Sequence, residues 1–243
     1  MLAWELVVRG TGVPPFILPG PAAVGAALVD RAPHLVEHAL VTGGEILAGL
    51  LIATALGGLT GLALAASAPA RRWLLPVLVV SQALPVFALA PILVLWFGYG
   101  PTSKIAMAVL IIYFPLTATL YDGLRRADAN LLDLATLAGA STWQRLLWIR
   151  LPAALPALAS GLRVAAAVAP IGAVVGEWVG ASRGLGYLML HANARMQVDV
   201  MFAALVVLAA MAVALYVAVD RLARRLTPWQ SESFDTSMED PRP

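Results

Sequence analysis

Residues 46–70 read ILAGLLIATALGGLTGLALAASAPA, which is 25 consecutive residues without a charged side chain. About 20 apolar residues in a helix cross the hydrocarbon core of a bilayer, so this stretch predicts a transmembrane helix. The composition extends the prediction to the whole chain, because 60% of its 243 residues are hydrophobic and only 12% are charged. Soluble domains are about 45–50% apolar and about 25% charged. We therefore exclude a soluble enzyme and a nucleic-acid-binding protein, and expect the chain to be surrounded by membrane lipid.

Further apolar runs follow the first one along the chain. Together the runs predict five membrane-spanning helices, at about residues 42–68, 74–98, 105–122, 153–179 and 200–222. The runs do not alternate between polar and apolar residues, as the strands of a membrane β-barrel would. A helix also satisfies its backbone hydrogen bonds within its own segment, which lipid requires. The predicted fold class is an all-α polytopic membrane protein.

The cationic residues predict the orientation. Nine arginines lie in the loops after the first, third and fifth spans, whereas the other side carries five cationic residues, among them Lys104 as a loop residue. Because cytoplasmic loops are enriched in Arg and Lys, the nine arginines and the C-terminus are expected in the cytoplasm. Residues 1–41 then form an external segment with one short amphipathic helix near Ala22–Leu40. Residues 42–227 form the transmembrane domain, and residues 228–243 form a polar, disordered cytoplasmic tail.

An odd number of spans leaves the N-terminus outside the cell. Residues 1–8 are too short to cross a membrane, and they lack the basic region and cleavage site of a signal peptide. One hypothesis is that Leu2–Val8 is the remnant of a sixth, N-terminal span. Apolar codons in frame upstream of the gene would support it.

Two compositional absences restrict the chemistry. The chain has no cysteine, so a disulfide, a Cys-based zinc site and a thiol nucleophile cannot be built. Its single lysine, Lys104, follows Ser103 rather than glycine, so the phosphate-binding sequence ending in Gly-Lys-[Ser/Thr] does not occur. If nucleotide energy drives this protein, another chain must bind the nucleotide.

Residues 127–152, here called the elbow, carry ordered helix signals. Asp128 is a candidate N-cap for a short helix through Ala138, and Gly139 suits the left-handed cap that ends it. Ser141-Thr142-Trp143-Gln144 is a capping box that opens a second short helix. Pro152 is then expected to open the next span.

The first elbow helix is predicted to be amphipathic, with Leu131, Leu134 and Ala138 on one face. Such a face can dock onto a protein or lie on the membrane surface. Membrane-surface helices are usually rich in Lys and Arg, and residues 127–144 contain neither. This absence favours protein docking over the membrane surface.

At the elbow the chain resembles a known family. Asp133-Leu134-Ala135, Gly139 and Ile149-Arg150-Leu151-Pro152 resemble the EAA loop of ABC importer permeases, whose pattern is E-A-A, three residues, Gly, nine residues and I-x-L-P. The spacing is identical, with Asp in place of Glu and Leu in place of the middle Ala. Residues 18–21, 161–164 and 184–187 look like the nitrate, sulfonate and taurine branch of these permeases. Within that branch, residues 82–91, 96–100 and 121–124 look most like permeases for the pyrimidine precursor of thiamine.

The resemblance implies a binding-protein-dependent transport permease fold that works as a pair of identical chains in the bacterial inner membrane. Two ATPase subunits would bind ATP and Mg²⁺, so this chain would hold no cofactor and would not be an enzyme. An extracytoplasmic substrate-binding protein would deliver a small polar substrate, with a hydroxymethylpyrimidine favoured over a sulfonate, taurine, nitrate or riboflavin. The elbow would act as the coupling helix. The implied ATPase-coupling residues are Asp133, Ala135, Gly139, Ala140, Ser141 and Arg145.

Two charged residues lie in the fourth predicted span. Glu177 faces either the transport pathway or subunit interface, or instead the solvent at the outer end of the span. Arg163 either contacts the pathway or has a structural role, such as a contact with the elbow. Gly172, Gly176 and Gly180 predict a helix face that permits close packing, and Gly57 and Gly61 predict another.

Prolines and aromatic residues mark the second span. Pro85 and Pro91 are expected to kink or break it, and broken helices often line transport pathways. Phe87 and Pro91 are therefore pathway candidates. The aromatic residues around them either stack a flat heterocycle or, more commonly, anchor the span at the membrane interface. This group consists of Phe87, Trp96, Phe97 and Tyr99.

The remaining polar residues favour no other class of function. His34 and His38 have a metal-compatible spacing, but a solvated or hydrogen-bonded pair is favoured, and His191 is expected in an external loop. A secondary transporter that needs no ATPase would show intramembrane carboxylates for ion coupling and a repeat of spans. A membrane enzyme would need a nucleophile with a base or a metal site. Neither set of features is evident in the sequence.

Overall fold

The structure is a computed structural model that describes residues 2–229. Every regular element in this range is helical. The helices in chain order are α1 (Leu2–Thr11), α2 (Pro21–Asp30), α3 (Ala32–Ala66), α4 (Ala68–Ser81), α5 (Val86–Phe97), α6 (Pro101–Arg125), α7 (Ala129–Leu137), α8 (Thr142–Arg145), a π-helical turn (Leu146–Arg150), α9 (Leu151–Trp178), α10 (Leu185–Ala194) and α11 (Val198–Leu226). The predicted tail lies, from residue 230 onward, outside the described residues.

Four helices are long and apolar enough to cross a bilayer. They are α3, α6, α11 and the continuous helix Thr142–Trp178 that joins α8, the π-helical turn and α9. Helices α4 and α5 also pass this test as a pair, with a bend of 104° between them. With the bent pair counted as one span, these are the five spans that the sequence predicts.

The prediction of one amphipathic helix near Ala22–Leu40 is wrong, because two helices share this range. Helix α2 ends at Asp30, Arg31 has φ −104° and ψ 11°, and α3 begins at Ala32. Pro33 in the first turn of α3 explains the restart, because proline lacks the N–H that a continuous helix would use. Residues 32–40 are therefore the beginning of the first span, and the expected boundary between residues 41 and 42 falls inside α3.

Small residues let the central helices approach closely. Helix α6 packs against α3 on one side and α9 on the other. A Cβ atom on Gly57 would lie 2.8 Å from the Leu116 side chain, and one on Gly172 would lie 2.7 Å from the Cα atom of Ala108. Such contacts permit tight helix packing without a hydrophobic driving force in lipid. The predicted packing role of the glycine faces is confirmed, except that Gly180 lies beyond the end of α9.

The bundle has two ends. At one end, here called the elbow end, Leu124 of α6, Leu146 of the π-helical turn and Ala154 of α9 pack together. At the other, here called the far end, α2 and α10 pack against the first turns of α11. The ring of Trp4 in α1 lies 6.0 Å from the ring of Phe202 in α11. The hypothesis of a sixth span stays a prediction.

Candidate functional site

The first arm of the elbow is a short capped helix. The Asp128 side chain accepts a hydrogen bond from the backbone N–H of Asn130 at 2.8 Å and caps α7. Gly139 has φ +82°, the left-handed conformation predicted for it at the helix end. Both caps are local, so the path of this arm is set by its own sequence.

The second arm begins with the predicted capping box. The Ser141 hydroxyl accepts from the Gln144 backbone N–H at 3.3 Å, and the Gln144 side chain accepts from the Ser141 backbone N–H at 2.7 Å. The prediction of a separate short helix is wrong, because the chain continues from Thr142 through the π-helical turn to Trp178. Pro152 lies in the first turn of α9, where its missing N–H costs little beside the widened π-helical turn.

Arg145 ties the two arms of the elbow together. Its guanidinium group donates to the Thr136 hydroxyl of the first arm at 2.7 Å and to the Thr142 hydroxyl of the second at 3.3 Å. Leu146, directly after it, is buried against α6 and α9 and anchors the elbow to the bundle. The two arms therefore form one braced unit on the end of α6 and α9.

The outer surface of the elbow is apolar and exposed. Helices α7 and α8 contain no buried residue. The exposed side chains are Leu131, Leu134, Leu137, Trp143, Leu147 and Trp148. Among the predicted coupling residues, Asp133, Gly139 and Ser141 are exposed, whereas Ala135, Ala140 and Arg145 are partly buried. The structure thus brings all six of the predicted coupling residues onto one small unit.

Arg163 has a structural partner in another span. Its Nε atom donates to the Asp220 carboxylate of α11 at 2.6 Å, and Arg224 donates to the other oxygen of that carboxylate at 2.9 Å. The predicted contact with the elbow is wrong, because the ion pair joins α9 to α11 instead. Asp220 was not predicted from the sequence. Its position one turn before Arg224 in the last span was the available signal of an ion pair.

Glu177 is the centre of a buried polar cluster near the far end. Only 1% of its surface is exposed, so the alternative of a solvated carboxylate is wrong. Thr42 of α3 donates to its Oε1 atom at 2.6 Å, and the backbone N–H groups of Gly186 and Tyr187 donate to its Oε2 atom. Gly184 has φ +114°, and a Cβ atom there would overlap the Glu177 carboxylate. The carboxylate therefore fixes the loop between α9 and α10 to α3.

Lys104 and Glu45 complete this cluster, and the sequence did not predict that either residue is buried there. Lys104 lies in the first turn of α6 with 1% of its surface exposed, so its assignment to an external loop is wrong. Its Nζ atom donates to the backbone carbonyls of Tyr99 and Gly180, each at 2.8 Å. The acidic side chains that influence it are those of Glu45 of α3, which is buried, and Glu177. We call Thr42, Glu45, Lys104 and Glu177 the polar cluster.

The histidines support the same region. The backbone N–H of Gly184 donates to Nδ1 of His38 at 2.9 Å, and the Nε2 atoms of His38 and His34 lie 3.3 Å apart. This is the hydrogen-bonded pair that the sequence favours. His191 lies in α10 rather than in a loop, with its ring 3.9 Å from the ring of Tyr187. Residues 2–229 contain no group of three or more His, Asp or Glu side chains that could hold a metal ion.

The second span breaks at residues 82–85. Pro85 is the N-cap of α5. Because the residue before a proline avoids the helical conformation, the break lies at one of the two prolines predicted to cause it. Pro91 lies inside α5, which continues to Phe97. Trp96 and Phe97 line an apolar cavity of about 680 Å³ between α3, α5 and α6, which Phe87 does not reach. The four aromatic residues therefore do not form one stacking platform.

Comparison with known proteins identifies the family. Residues 46–232 match the family described as binding-protein-dependent transport system inner membrane component. The chain is 55% identical over 225 residues to a probable ABC transporter permease protein of Haemophilus influenzae, covering 93% of this chain and 92% of that protein.

Two further relatives have named substrates. A formylaminopyrimidine transport permease protein of Halalkalibacterium halodurans is 36% identical over 233 residues, covering 96% of this chain and 93% of that protein. A riboflavin transport system permease protein of Chloroflexus aurantiacus is 37% identical over 242 residues, with coverage of 95% and 87%.

A solved structure shares the fold. A chain of the methionine ABC transporter MetNI, in an inward-facing conformation, superposes with a TM-score of 0.63 at 21% identity, covering 81% of this chain and 95% of that chain. The family match contradicts the hypothesis of a secondary transporter without an ATPase. The chain belongs to the binding-protein-dependent transport system inner membrane components and is a permease subunit of an ABC transporter.

Proposed function

We propose that two copies of this chain form the pathway of an ATP-driven importer and that the elbow binds the partner ATPase. The observation that carries the proposal is the exposed apolar surface of a braced unit. Helices α7 and α8 bury no residue within their own chain, and 87% of the Leu137 surface is exposed. Exposed apolar patches with aromatic side chains are typical of protein–protein contacts.

The rigidity of the elbow supports a role in transmitting motion. Caps at Asp128 and Ser141, together with the Arg145 bridge, resist bending between the two arms. Leu146 joins the unit to α6 and α9. A force applied by a moving ATPase would therefore reach two spans directly. The six coupling residues predicted from the sequence lie on this unit, and we assign them to ATPase contact and elbow shape.

The proposed cycle couples ATP binding to alternating access. ATP closes the ATPase pair, the two elbows move with it, and the permease changes between inward-facing and outward-facing states. The elbow and the C-terminus lie in the cytoplasm of a bacterium, on the side favoured by the arginine distribution. A substrate-binding protein delivers the substrate at the far end, where α1 and α2 also lie.

An uncharged heterocycle is the substrate that we favour, with the pyrimidine precursor of thiamine as the specific candidate. Arg163 is paired with Asp220, and the Lys104 ammonium group donates to two backbone carbonyls. Neither cation is available to a sulfonate, taurine or nitrate, and an anion at the midplane needs a cation or a helix N-terminus. The identity to the formylaminopyrimidine permease also supports this choice.

Riboflavin is the second candidate. The riboflavin permease from Chloroflexus aurantiacus is 37% identical to this chain, which is as similar as the pyrimidine permease. Riboflavin is also uncharged, so the occupied cations do not distinguish the two. Its three-ring system is much larger than a pyrimidine, and uptake measurements separate them.

The test is uptake by vesicles that contain this chain, its ATPase and its binding protein. ATP-dependent uptake of hydroxymethylpyrimidine, with little uptake of riboflavin, taurine or nitrate, is expected. Uptake of riboflavin alone would replace the favoured substrate, and uptake of taurine alone would reject an uncharged one. Uptake without ATP or without the ATPase would reject the proposed mechanism.

A matched pair of tryptophans tests the elbow separately. Trp143 in the elbow and Trp229 after α11 are both exposed at the elbow end, at 64% and 59%. Trp143→Ala is expected to reduce the amount of ATPase that co-purifies with the chain by about tenfold, because interface tryptophans contribute about 2 kcal/mol or more. Trp229→Ala is expected to retain the ATPase. Equal retention by both variants would contradict the elbow contact.

A further inference from the structure

We propose that the break in the second span forms a contact site for the transported molecule, and that the side-chain amide of Gln82 is a specificity-determining group there. The inference rests on the proposed transport function and adds a residue that reads the substrate. The site, here called the midspan site, consists of residues 82–85 and the cavity beside them.

The depth of the break in the membrane follows from the residues that face it across the cavity. Ser81 and Gln82 line a cavity of about 330 Å³ whose opposite wall includes Leu110 and Tyr113. Tyr113 is at the centre of α6, which runs from Pro101 to Arg125. Because α6 crosses the bilayer, its centre lies near the midplane. The break is therefore deep in the membrane rather than at its surface.

Exposed irregular backbone at this depth cannot face lipid. Residues 82–85 are not helical, and Gln82, Ala83, Leu84 and Pro85 are all exposed on the surface of the chain. The backbone N–H groups of Gln82 and Ala83 donate to the carbonyls of Val79 and Val80, whereas the described residues supply no partner for the N–H of Leu84. An unsatisfied peptide group costs several kcal/mol in hydrocarbon, so non-helical backbone occurs at membrane depth where it lines a water-filled cavity or is buried in protein. In a transport protein, the exposed break is best placed against the water-filled pathway.

The available hydrogen-bonding groups define what the midspan site binds. No residue within 2–229 forms a hydrogen bond with the side-chain amide of Gln82, so this group is free to bind a ligand. The amide offers both donors and an acceptor. The Tyr113 hydroxyl, which lines the same cavity, is already hydrogen-bonded to Thr60 at 2.8 Å.

The lining of the cavity also restricts the charge of the ligand. Apart from Ser81, Gln82 and Tyr113 it is aliphatic, and no charged side chain contributes to it. Its volume is within the range of small-molecule sites. An amide paired with an apolar wall suits a flat, uncharged molecule that carries a donor beside an acceptor, such as an aminopyrimidine. A charged sulfonate would find no charged side chain there.

Transport kinetics of Gln82 variants test the midspan site. In vesicles with the ATPase and the binding protein, Gln82→Leu is expected to lower hydroxymethylpyrimidine uptake about tenfold, because an amide of similar size is replaced by a group without hydrogen bonds. ATPase activity stimulated by the loaded binding protein is expected to stay within about twofold of the parent. Gln82→Asn is expected to restore part of the uptake.

A neighbouring residue provides the control. Val80 is exposed on the same helix end and does not line the cavity. Val80→Ala is expected to transport at the rate of the parent chain. Unchanged uptake by Gln82→Leu would overturn the proposal, and so would an equal loss of uptake in Val80→Ala. A parallel loss of uptake and stimulated ATPase activity in both Gln82 variants would also overturn it, by assigning Gln82 to assembly of the pair of chains.

The midspan site and the proposed function fail in different ways. If the parent complex transports riboflavin instead of the pyrimidine, the favoured substrate is wrong, and Gln82→Leu is then measured with riboflavin as the probe. If the parent complex transports the pyrimidine and Gln82→Leu does so equally well, the proposed function stands and the midspan site is rejected.

Discussion

The elbow and the polar cluster are both organised by side chains that hold a bend in the backbone, but they do so in opposite ways. In the elbow, each bond joins residues two to nine positions apart, and the surroundings are exposed. In the polar cluster, Thr42 and Glu177 are 135 positions apart and are buried between helices. The elbow therefore keeps its shape while its surface is free for a partner. The polar groups of the polar cluster are instead buried and bond within the chain, where they join α3, α6, α9 and the loop before α10.

Removal of the Glu177 carboxylate is expected to have the largest effect on stability. Glu177→Leu leaves the Thr42 hydroxyl and the backbone N–H groups of Gly186 and Tyr187 without their buried acceptor, a loss of about 3 kcal/mol in the free energy of unfolding. The midpoint of thermal unfolding in detergent is expected to fall by roughly 6–12 °C.

An exposed glutamate is the matched control for this prediction. Glu37 faces Arg183 at 3.8 Å with both side chains exposed. Glu37→Leu is expected to shift the midpoint by at most about 2 °C, because exposed ion pairs contribute less than about 1 kcal/mol. Equal shifts in the two variants would mean that burial does not distinguish the polar cluster.

Loss of the capping box is expected to have a smaller, local effect. Ser141→Ala removes the acceptor of the Gln144 backbone N–H, which is worth about 1 kcal/mol for a helix cap. Hydrogen exchange of residues 141–146 is expected to accelerate about fivefold, with the far end unchanged. Faster exchange that extends to α10 would contradict the view that the elbow is organised locally.

The Arg163–Asp220 pair is expected to have an effect no larger than that of the capping box. Its side chains are 28% and 21% exposed, so the pair is intermediate between the elbow and the polar cluster. A double-mutant cycle with Arg163→Met and Asp220→Asn is expected to give a coupling of about 1 kcal/mol. A coupling near zero would show that α9 and α11 are held by apolar packing alone.

The same contrast explains what could be predicted from the sequence. The caps at Asp128, Gly139 and Ser141 were predictable because a cap and the N–H it binds are a few residues apart. The continuation of the second arm into the span was not, because a π-helical turn has no such signal. The number of spans followed from long apolar runs. The first boundary of the first span did not, because α3 begins with polar residues such as His34 and Glu37, which precede the apolar run.

The polar cluster lay beyond local patterns. Glu45 immediately precedes the apolar run of residues 46–70, and Lys104 separates two other apolar runs, so both resembled charges at the ends of spans. Only the packing of α3 and α6 shows that they are buried near Glu177. Gln82 was likewise visible as a residue beside a break, but its depth depends on the position of Tyr113 across the cavity.

The most direct measurement uses the absence of cysteine in this chain, which allows single-cysteine variants without a background. Leu137→Cys places a thiol on the most exposed part of the elbow, and Trp229→Cys places one elsewhere at the elbow end. In vesicles that contain the ATPase, a short bifunctional cross-linker is expected to join the elbow thiol to the ATPase and to leave the control thiol unlinked. A freely reactive elbow thiol that never joins the ATPase would contradict the account.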